Sequence, residues 1–67
     1  MKIILNNNPE IIPAEKITLQ ELIAFKKYSF ALLITKVNGR LVKKEERSNT
    51  EIKDGDNVSV IHLISGG

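Results

Sequence analysis

The sequence contains no cysteine and only one histidine, His62, among its 67 residues. Without cysteine the chain can form neither a disulfide bond nor a thiolate metal site, and it has no cysteine nucleophile. A zinc site would have to rely almost wholly on carboxylates, which is an unusual ligand set for zinc. Disulfide-stapled proteins, zinc-thiolate proteins and cysteine-dependent enzymes are therefore excluded.

Long apolar runs are also absent. No stretch approaches the roughly 18 consecutive apolar residues of a membrane-spanning helix, and no signal-peptide pattern opens the chain. We therefore expect a cytoplasmic protein that does not enter a membrane.

The chain is too short for two hydrophobic cores. A domain of this size buries only about 60% of the surface that its unfolded chain exposes, so a deep active-site cavity is hard to build. The 42% of hydrophobic and 27% of charged residues are typical of a folded chain. We expect one domain over residues 1–67 that acts by being bound rather than as an enzyme.

Positive charge is mild, with a formal net charge of +2. The basic pairs Lys26-Lys27 and Lys43-Lys44 are short, and we interpret them as solvated cations. No known nucleic-acid-binding motif accompanies them, so we expect no nucleic-acid partner.

The N-terminal segment predicts a β-hairpin. Residues 2–6 form a β-branched strand, and residues 10–12 form the returning strand. Between them, asparagines that tolerate left-handed backbone and a proline that fixes φ predict a turn over residues 6–9. Pro13 confines the returning strand to an edge of a sheet or to its own end.

A capping box marks the start of one helix. Thr18 and Glu21 have the spacing at which each side chain accepts from an unpaired backbone N–H of the first turn. Ile17 and Leu22 have the spacing of a hydrophobic staple. Apolar residues continue at helical spacing, which predicts a helix over residues 19–28.

Two further strands and a final strand follow. Residues 30–37 form an apolar run, Asn38-Gly39 is a strong type I′ turn signal, and residues 40–42 return from it. After a polar connection, Asp54-Gly55-Asp56 predicts a sharp turn into a last strand over residues 57–63.

This order of elements predicts an α+β fold. One amphipathic helix can cover one face of a mixed sheet of four to five strands and so bury the apolar positions. If the last strand lies beside the first, the two run parallel at the centre of the sheet. This is the β-grasp, or ubiquitin-like, arrangement.

The last strand alternates in character. Its two sets of side chains are Val58, Val60 and His62 on one side, and Ser59, Ile61 and Leu63 on the other. We assign the two valines to the helix-covered core and interpret His62 as a structural or rim residue. Ile61 and Leu63, with Ser59, then lie on the uncovered face beside the C-terminal tail.

The chain ends in Ser65-Gly66-Gly67, directly after this strand. Glycine has no Cβ atom, so a Gly-Gly tail can enter a cleft too narrow for larger residues. Its terminal carboxylate, on Gly67, is the group that we expect to react, at the end of a tail that protrudes from a rigid base.

Together these features resemble the ThiS-type sulfur carriers, small β-grasp proteins of thiamine biosynthesis. The resemblance covers essentially the whole chain and rests on residues 1–6, Asn38-Gly39, the turn at residues 54–56 and the terminal Gly66-Gly67. Two places depart from the family pattern. Asn6-Asn7 stands where family members often carry Asn-Gly, and Lys43, Lys44 and Arg47 stand where many have Pro-Arg and an aromatic.

The resemblance implies a carrier cycle. A ThiF-like adenylyltransferase, using ATP and Mg²⁺ that the carrier itself does not bind, would activate the Gly67 carboxylate. A sulfur-donor protein would then supply the sulfur of a thiocarboxylate, and a ThiG-like thiazole synthase would take that sulfur. The uncovered face around Ile61 and Leu63 would dock the adenylyltransferase. We expect a monomer that moves between these partners.

Three alternatives remain open on the sequence. A MoaD-like carrier for molybdopterin shares the Gly-Gly end but is usually longer. A ubiquitin-like modifier would use the same terminus to form an isopeptide bond with lysine. An interaction or scaffold domain would have an inert tail, and deletion of Gly67 would leave its binding unchanged.

Overall fold

A computed structural model describes residues 1–28 and 32–63 of the chain. The predicted start of the second hairpin at residues 30 and 31 lies outside the described residues. The predicted tail, Ser65, Gly66 and Gly67, lies outside them too.

The first hairpin has a tighter turn than the sequence pattern predicts. Strand β1 spans Lys2–Leu5 and pairs antiparallel with β2, Asn8–Ile11. Asn6 and Asn7 both have positive φ, 50° and 67°, so two residues suffice to reverse the chain. The prediction of a turn over residues 6–9 and a strand over 10–12 was therefore wrong at its boundaries. Pro9 is tolerated inside β2 because β2 is an edge strand.

The predicted capping box is confirmed. A short strand β3, Ile17–Thr18, leads into helix α1, Leu19–Phe25. The Glu21 amide donates to Thr18 Oγ1 at 3.0 Å, and the Thr18 amide donates to Glu21 Oε1 at 2.9 Å. These two bonds satisfy donors that the first helical turn leaves unpaired.

The helix ends three residues before the predicted position 28. Lys27 has φ 58°, and its amide donates to the Ala24 carbonyl at 3.0 Å while the Tyr28 amide donates to the Ile23 carbonyl at 3.1 Å. This pair of bonds is the Schellman arrangement that closes a helix with one left-handed residue. Lysine is an uncommon residue in that position, so the sequence pattern gave no stop signal.

The second hairpin is confirmed. Strand β4, Leu33–Val37, pairs antiparallel with β5, Arg40–Val42. The turn residues Asn38 and Gly39 have φ values of 51° and 82°, as a type I′ turn requires.

The polar connection forms a 3-10 helix over Lys44–Asn49. It leads to β6, Glu51–Ile52, and then to the last strand β7, Asn57–His62. The short strands β3 and β6 pair antiparallel as a second, two-stranded sheet. Strands of two residues carry no readable alternation, so the sequence analysis did not predict this sheet.

The main sheet has the predicted mixed topology. Its five strands lie in the order β2-β1-β7-β4-β5, with β1 and β7 parallel and the other neighbours antiparallel. The α+β, β-grasp fold class is therefore confirmed, with the first and last strands adjacent and β7 at the centre.

One helix covers one face of this sheet. The buried core joins α1 to inward side chains of the strands and to β6, and consists of Ile3, Leu5, Ile12, Leu19, Leu22, Ile23, Val42, Ile52, Val58 and Val60. We call the opposite side of the five-stranded sheet, which α1 does not cover, the open face. In the described residues, no helix combines the length and apolar content needed to span a bilayer.

Candidate functional site

Strand β7, which leads into the C-terminal tail, is held firmly on its β4 side. The antiparallel register with β4 runs from Val37 opposite Val58 to Leu33 opposite His62. One step further, the Leu63 amide donates to the Leu32 carbonyl at 3.1 Å. Backbone pairing therefore continues to Leu63, the last residue before the undescribed segment 64–67. The roles predicted for Ser65, Gly66 and Gly67 remain predictions, because these residues lie in that segment.

Asn6 holds the other side of β7. Its amide donates to the Val58 carbonyl at 2.9 Å, and its side-chain Oδ1 accepts from the Val60 amide at 2.8 Å. The Asn6 side chain thus replaces a backbone carbonyl and extends the parallel pairing beyond the end of β1. The sequence pattern predicts Asn6 only as a strand end and a turn residue, because its second role depends on the position of Val60, 54 residues away in the chain.

The side chains of β7 alternate between the two faces as predicted. Val58 and Val60 are buried against α1, with exposed fractions of 0% and 3%. Ile61 and Leu63 are about half exposed, at 49% and 50%, and Ser59, which shares their side, is partly buried. The three residues predicted as a partner-binding face therefore lie together on the open face.

Neighbouring strands enlarge this apolar surface. Ile34 lies directly opposite Ile61, and Leu32 follows the same register opposite Leu63. Leu41 pairs with Lys36 on the far side of β4 and is 54% exposed. We call these five residues the open-face patch: Leu32, Ile34, Leu41, Ile61 and Leu63. The sequence alone predicts only Ile61 and Leu63 on this face, because the other three residues join the patch through strand register.

An exposed group of apolar side chains of this kind on a small folded domain is typical of an interaction surface. Side chains directly opposite each other on antiparallel strands have Cβ atoms about 4.5–5.5 Å apart, so the two apolar pairs form one continuous surface. It borders the point at which the chain leaves the sheet. A protein that docks on the patch would therefore contact the start of the tail.

His62 lies on the other side of β7. Its ring makes an edge-to-face contact with the Tyr28 ring, with centroids 5.9 Å apart and an interplanar angle of 79°. Tyr28 in turn packs against the hydrophobic core. This places His62 among packing residues under the sheet, away from the open-face patch, in agreement with a structural interpretation.

Arg47 is a structural residue that the sequence analysis missed. It is only 8% exposed, although it comes from the polar 3-10 helix. Its Nη2 donates to the Leu33 carbonyl at 2.8 Å and its Nε donates to Thr35 Oγ1 at 3.2 Å. The Thr35 hydroxyl donates to the Val42 carbonyl at 2.7 Å. Nothing in the polar run 43–49 distinguishes a buried arginine from its exposed neighbours.

These bonds stabilise the start of β4. Strand β5 ends at Val42, opposite Thr35, so no strand covers Leu33 on that side. Arg47 supplies the donor that a longer β5 would have supplied. Because Leu33 lies opposite His62, this arginine indirectly fixes the strand against which the last part of β7 is paired.

Lys26 is not the solvated cation that its place in a basic pair predicts. Its Nζ donates to Glu10 Oε2 at 2.9 Å and joins the end of α1 to the edge strand β2. This hydrogen bond, opposed by partial desolvation, raises the pKa of the Lys26 amine. The pair lies on the helix side of the sheet, since Glu10 is opposite the buried Ile3.

In the described residues, neither a metal-binding cluster nor a cleft forms a second candidate site. Among residues 1–28 and 32–63, no group of three or more histidine or carboxylate side chains is arranged to hold a metal ion. A polar groove runs between the second hairpin and the segment from the 3-10 helix to β6, and its lining includes Arg40, Leu41, Glu46, Glu51 and Lys53.

Comparison with known proteins identifies the family. The family model that describes the ThiS family matches residues 3–67 of this chain. A crystal structure of the thiamine biosynthesis protein ThiS from Geobacter metallireducens superposes with a TM-score of 0.89 at 29% identity, covering 100% of both chains. A solution NMR structure of a thiamine biosynthesis protein from the same organism gives a TM-score of 0.84 at 29% identity, covering 100% of this chain and 88% of that one. No curated protein matches. With a family match over nearly its whole length and the same fold as these proteins, the chain belongs to the ThiS family.

Proposed function

We propose that this chain is a sulfur carrier of thiamine biosynthesis, a protein co-substrate rather than an enzyme, that carries sulfur as a thiocarboxylate on Gly67. The observation that supports this most directly is the pairing of β7, which holds the backbone as far as Leu63 and leaves four residues to the Gly-Gly end. Membership of the ThiS family and likeness to two structures of a thiamine biosynthesis protein support the choice of pathway.

The terminal carboxylate must be activated before it can accept sulfur. A free carboxylate is a poor electrophile, because the group displaced from it would be oxide. Transfer of AMP from ATP to the Gly67 carboxylate, with release of pyrophosphate, provides a stable leaving group. The Mg²⁺ ion of a ThiF-like adenylyltransferase neutralises the phosphate charge in this step.

Sulfur then replaces AMP. The persulfide of a sulfur-donor protein attacks the acyl-adenylate and AMP leaves, which joins Gly67 to the donor through an acyl disulfide. A second thiol of a partner protein then attacks the donor's sulfur, so that the partner is left with a disulfide and Gly67 carries a thiocarboxylate. This group is ionised at neutral pH, as a sulfur nucleophile must be to react. A ThiG-like thiazole synthase takes the sulfur and regenerates the carboxylate.

The small residues of the tail allow the Gly67 carboxylate to reach a partner's active site. Gly66 and Gly67 have no side chain beyond hydrogen, and Ser65 has a small one, so the segment fits a narrow channel that leads to a partner's active site. The carrier binds no cofactor of its own in this scheme, since ATP and Mg²⁺ belong to the adenylyltransferase. The chain works in the cytoplasm as a monomer that moves between its partners.

The open-face patch is the proposed docking surface for the adenylyltransferase. Ile61 and Leu63, with Ser59 beside them, would contact the partner while the tail reaches its active site. Docking would remove from water the apolar area that the sheet leaves uncovered. Each Å² of apolar surface removed from water contributes a favourable free energy of roughly 25 cal/mol. This contribution would hold the carrier in place without any change in its fold.

Intact-mass analysis tests the function. The chain is incubated with ATP, Mg²⁺, an adenylyltransferase from the same organism and a sulfur source. The expected product is heavier by the difference between one sulfur and one oxygen atom. A variant that lacks Gly67 is the control, and it should gain no mass.

Other products would identify the alternatives. Attachment of the chain to larger proteins through an isopeptide bond would indicate a ubiquitin-like modifier. A thiocarboxylate whose sulfur is transferred to a molybdopterin precursor, and is not used to form a thiazole, would indicate a MoaD-like carrier. Absence of any mass gain with every such partner would contradict the carrier function.

A further inference from the structure

The strands of the five-stranded sheet place no acidic side chain on its open face. All 8 acidic and 10 basic side chains of the sequence belong to the described residues. Strands β1, β4, β5 and β7 contain no aspartate or glutamate. The fifth strand, β2, contains Glu10, which points to the helix side and pairs with Lys26. The carboxylates near the open face therefore come only from segments outside these strands, such as Glu46 and Glu51, which line a polar groove with Leu41.

The other seven carboxylates lie outside the five-stranded sheet. Two flank or cap helix α1, two lie in the 3-10 helix, one is on β6 and two are in the turn before β7: Glu15, Glu21, Glu45, Glu46, Glu51, Asp54 and Asp56. The two aspartates of the turn are occupied by backbone amides, since Asp54 accepts from Lys2 at 2.7 Å and Asp56 accepts from Lys53 at 2.8 Å.

Cations remain on the open face. Lys36 lies in the middle of β4, directly opposite Ser59 on one side and Leu41 on the other, so it borders the open-face patch. It is exposed, and neither of the two ion pairs of the described residues includes it. Lys2 lies on the same face at the start of β1, opposite Ile11 of the edge strand β2.

We infer that the open-face patch recognises an activating partner whose apolar docking surface is bordered by carboxylates, and that Lys36 is the residue that selects for this charge. The inference rests on the proposed function, because it concerns the docking step of that same cycle. An apolar centre with a charged rim is the usual composition of a protein interface. On this chain the charged side chain that the strands place beside the patch is Lys36, while the carboxylates of Glu46 and Glu51 share a polar groove with Leu41.

A second copy of the chain does not fit this surface. In a symmetric dimer each face meets its own equivalent, so the cations of one copy would border those of the other. Like charges brought together at an interface are unfavourable. A partner with acidic residues at its rim has the opposite, favourable arrangement.

Charge recognition at a rim affects association more than it affects the bound state. Opposite charges accelerate encounter, and dissolved salt screens them over about 10 Å at 0.1 M ionic strength. Productive docking of this carrier should therefore weaken as salt increases. That dependence should come mainly from Lys36.

The experiment measures acyl-adenylate formation on the full chain by the adenylyltransferase of the same organism. The KM for the carrier is determined for wild type, Lys36→Gln and Lys36→Glu at about 50 mM and about 500 mM salt, between which screening changes strongly. Lys44→Glu is the matched control. It makes the same change in net charge on the 3-10 helix, which packs against α1 rather than lying on the open face.

At low salt we expect the KM of Lys36→Glu to rise about tenfold and that of Lys36→Gln to rise severalfold, with kcat unchanged. At high salt the differences should shrink, and Lys44→Glu should resemble wild type throughout. Thermal unfolding of each variant is measured as well. Midpoints of the Lys36 variants equal to that of wild type establish that Lys36, which is exposed, has no structural role. If Lys36→Glu disturbs the fold of β4, Lys36→Gln still tests the inference, because it removes the charge without reversing it.

Two results would overturn the inference, and they differ from failure of the proposed function. If Lys36→Glu and Lys44→Glu raise KM equally, or if salt does not reduce the effect of Lys36→Glu, the open face does not recognise the charge of its partner. In either case adenylation that depends on Gly67 would leave the carrier function intact. Adenylate formation on a chain that lacks Gly67 would instead contradict the proposed function, and the inference with it.

Discussion

The two faces of the five-stranded sheet use similar residues for different purposes. On the helix side Ile3 and Val58 have exposed fractions of 1% and 0%, whereas on the open face Ile61 and Leu41 have 49% and 54%. All four are aliphatic residues in β-strands. The difference is the presence of α1 on one side. Aliphatic character alone therefore does not distinguish a core residue from a binding residue in a sheet this small.

The two faces also differ in the burial and the hydrogen bonding of their polar side chains. On the helix side the polar groups Arg47 and Thr35 are buried with specific hydrogen-bond partners, and Lys26 is paired with Glu10. On the open face Lys36 is exposed and outside both ion pairs of the described residues. We interpret the first face as the source of stability and the second as the surface reserved for a partner.

The largest expected effect compares two neighbouring isoleucines. Ile12 is 1% exposed and belongs to the core, whereas Ile11 is 68% exposed on the edge strand. Ile12→Ala should lower the free energy of unfolding by about 2–5 kcal/mol, because it leaves a cavity as well as losing apolar burial. Ile11→Ala should change it by no more than about 0.5 kcal/mol. Urea denaturation of both variants measures the difference.

The same substitution at adjacent positions makes this a matched pair. Equal losses of stability in the two variants would mean that the open face contributes to folding as much as the helix side does. That result would break the division of roles between the faces.

A smaller effect is expected at the start of β4. Arg47→Ala removes the donors to the Leu33 carbonyl and to Thr35 Oγ1, and leaving a buried acceptor unsatisfied costs about 1–3 kcal/mol. Arg40→Ala is the control, since Arg40 is an exposed arginine of the neighbouring strand and should cost no more than about 0.5 kcal/mol. Amide hydrogen exchange at Leu63, whose N–H donates to the carbonyl of Leu32 beside Leu33, should become faster only in Arg47→Ala. Unchanged exchange there would show that Arg47 does not hold the strand that flanks the end of β7.

The smallest expected effect is the pH dependence of the Lys26 and Glu10 pair. The pKa of Lys26 is raised in the folded protein, chiefly by its hydrogen bond to Glu10. A raised pKa means that the folded state binds the proton more tightly, so this stabilisation is complete below the ordinary pKa of lysine. It is lost as pH rises through the raised value. Stability measured by urea denaturation should fall slightly in the alkaline range.

Glu10→Gln removes the charged acceptor, so its stability should decline less over that alkaline range than that of wild type. An identical alkaline decline in both proteins would indicate that the pair does not contribute to folding. The comparison between the faces would then rest on the buried residues alone.

Much of the architecture follows from local signals in the chain. The capping box at Thr18 and Glu21, the Asn38-Gly39 turn and the alternation of the last strand each have a local physical cause, and the structure has all three. Boundaries were less predictable. The helix ends at Phe25 because Lys27 adopts left-handed backbone, and lysine gives no local indication that it will do so.

The functional surface was predictable only in part. Ile61 and Leu63 could be placed on the uncovered face from the period of two along a strand. Leu32, Ile34 and Leu41 could not, because their membership of the patch depends on which residues of β4 and β5 stand beside β7. The absence of acidic side chains from the strand positions of the open face likewise appears only when the strands are assembled.

Local chemistry in this chain is sufficient to specify where strands, turns and the helix start, because hydrogen-bond capping, backbone φ preferences and side-chain alternation act over a few residues. Contacts between distant segments specify the rest. Asn6 can extend the pairing of β7, Arg47 can complete the edge of β4, and apolar side chains from three strands can form one patch only after packing has brought those segments together.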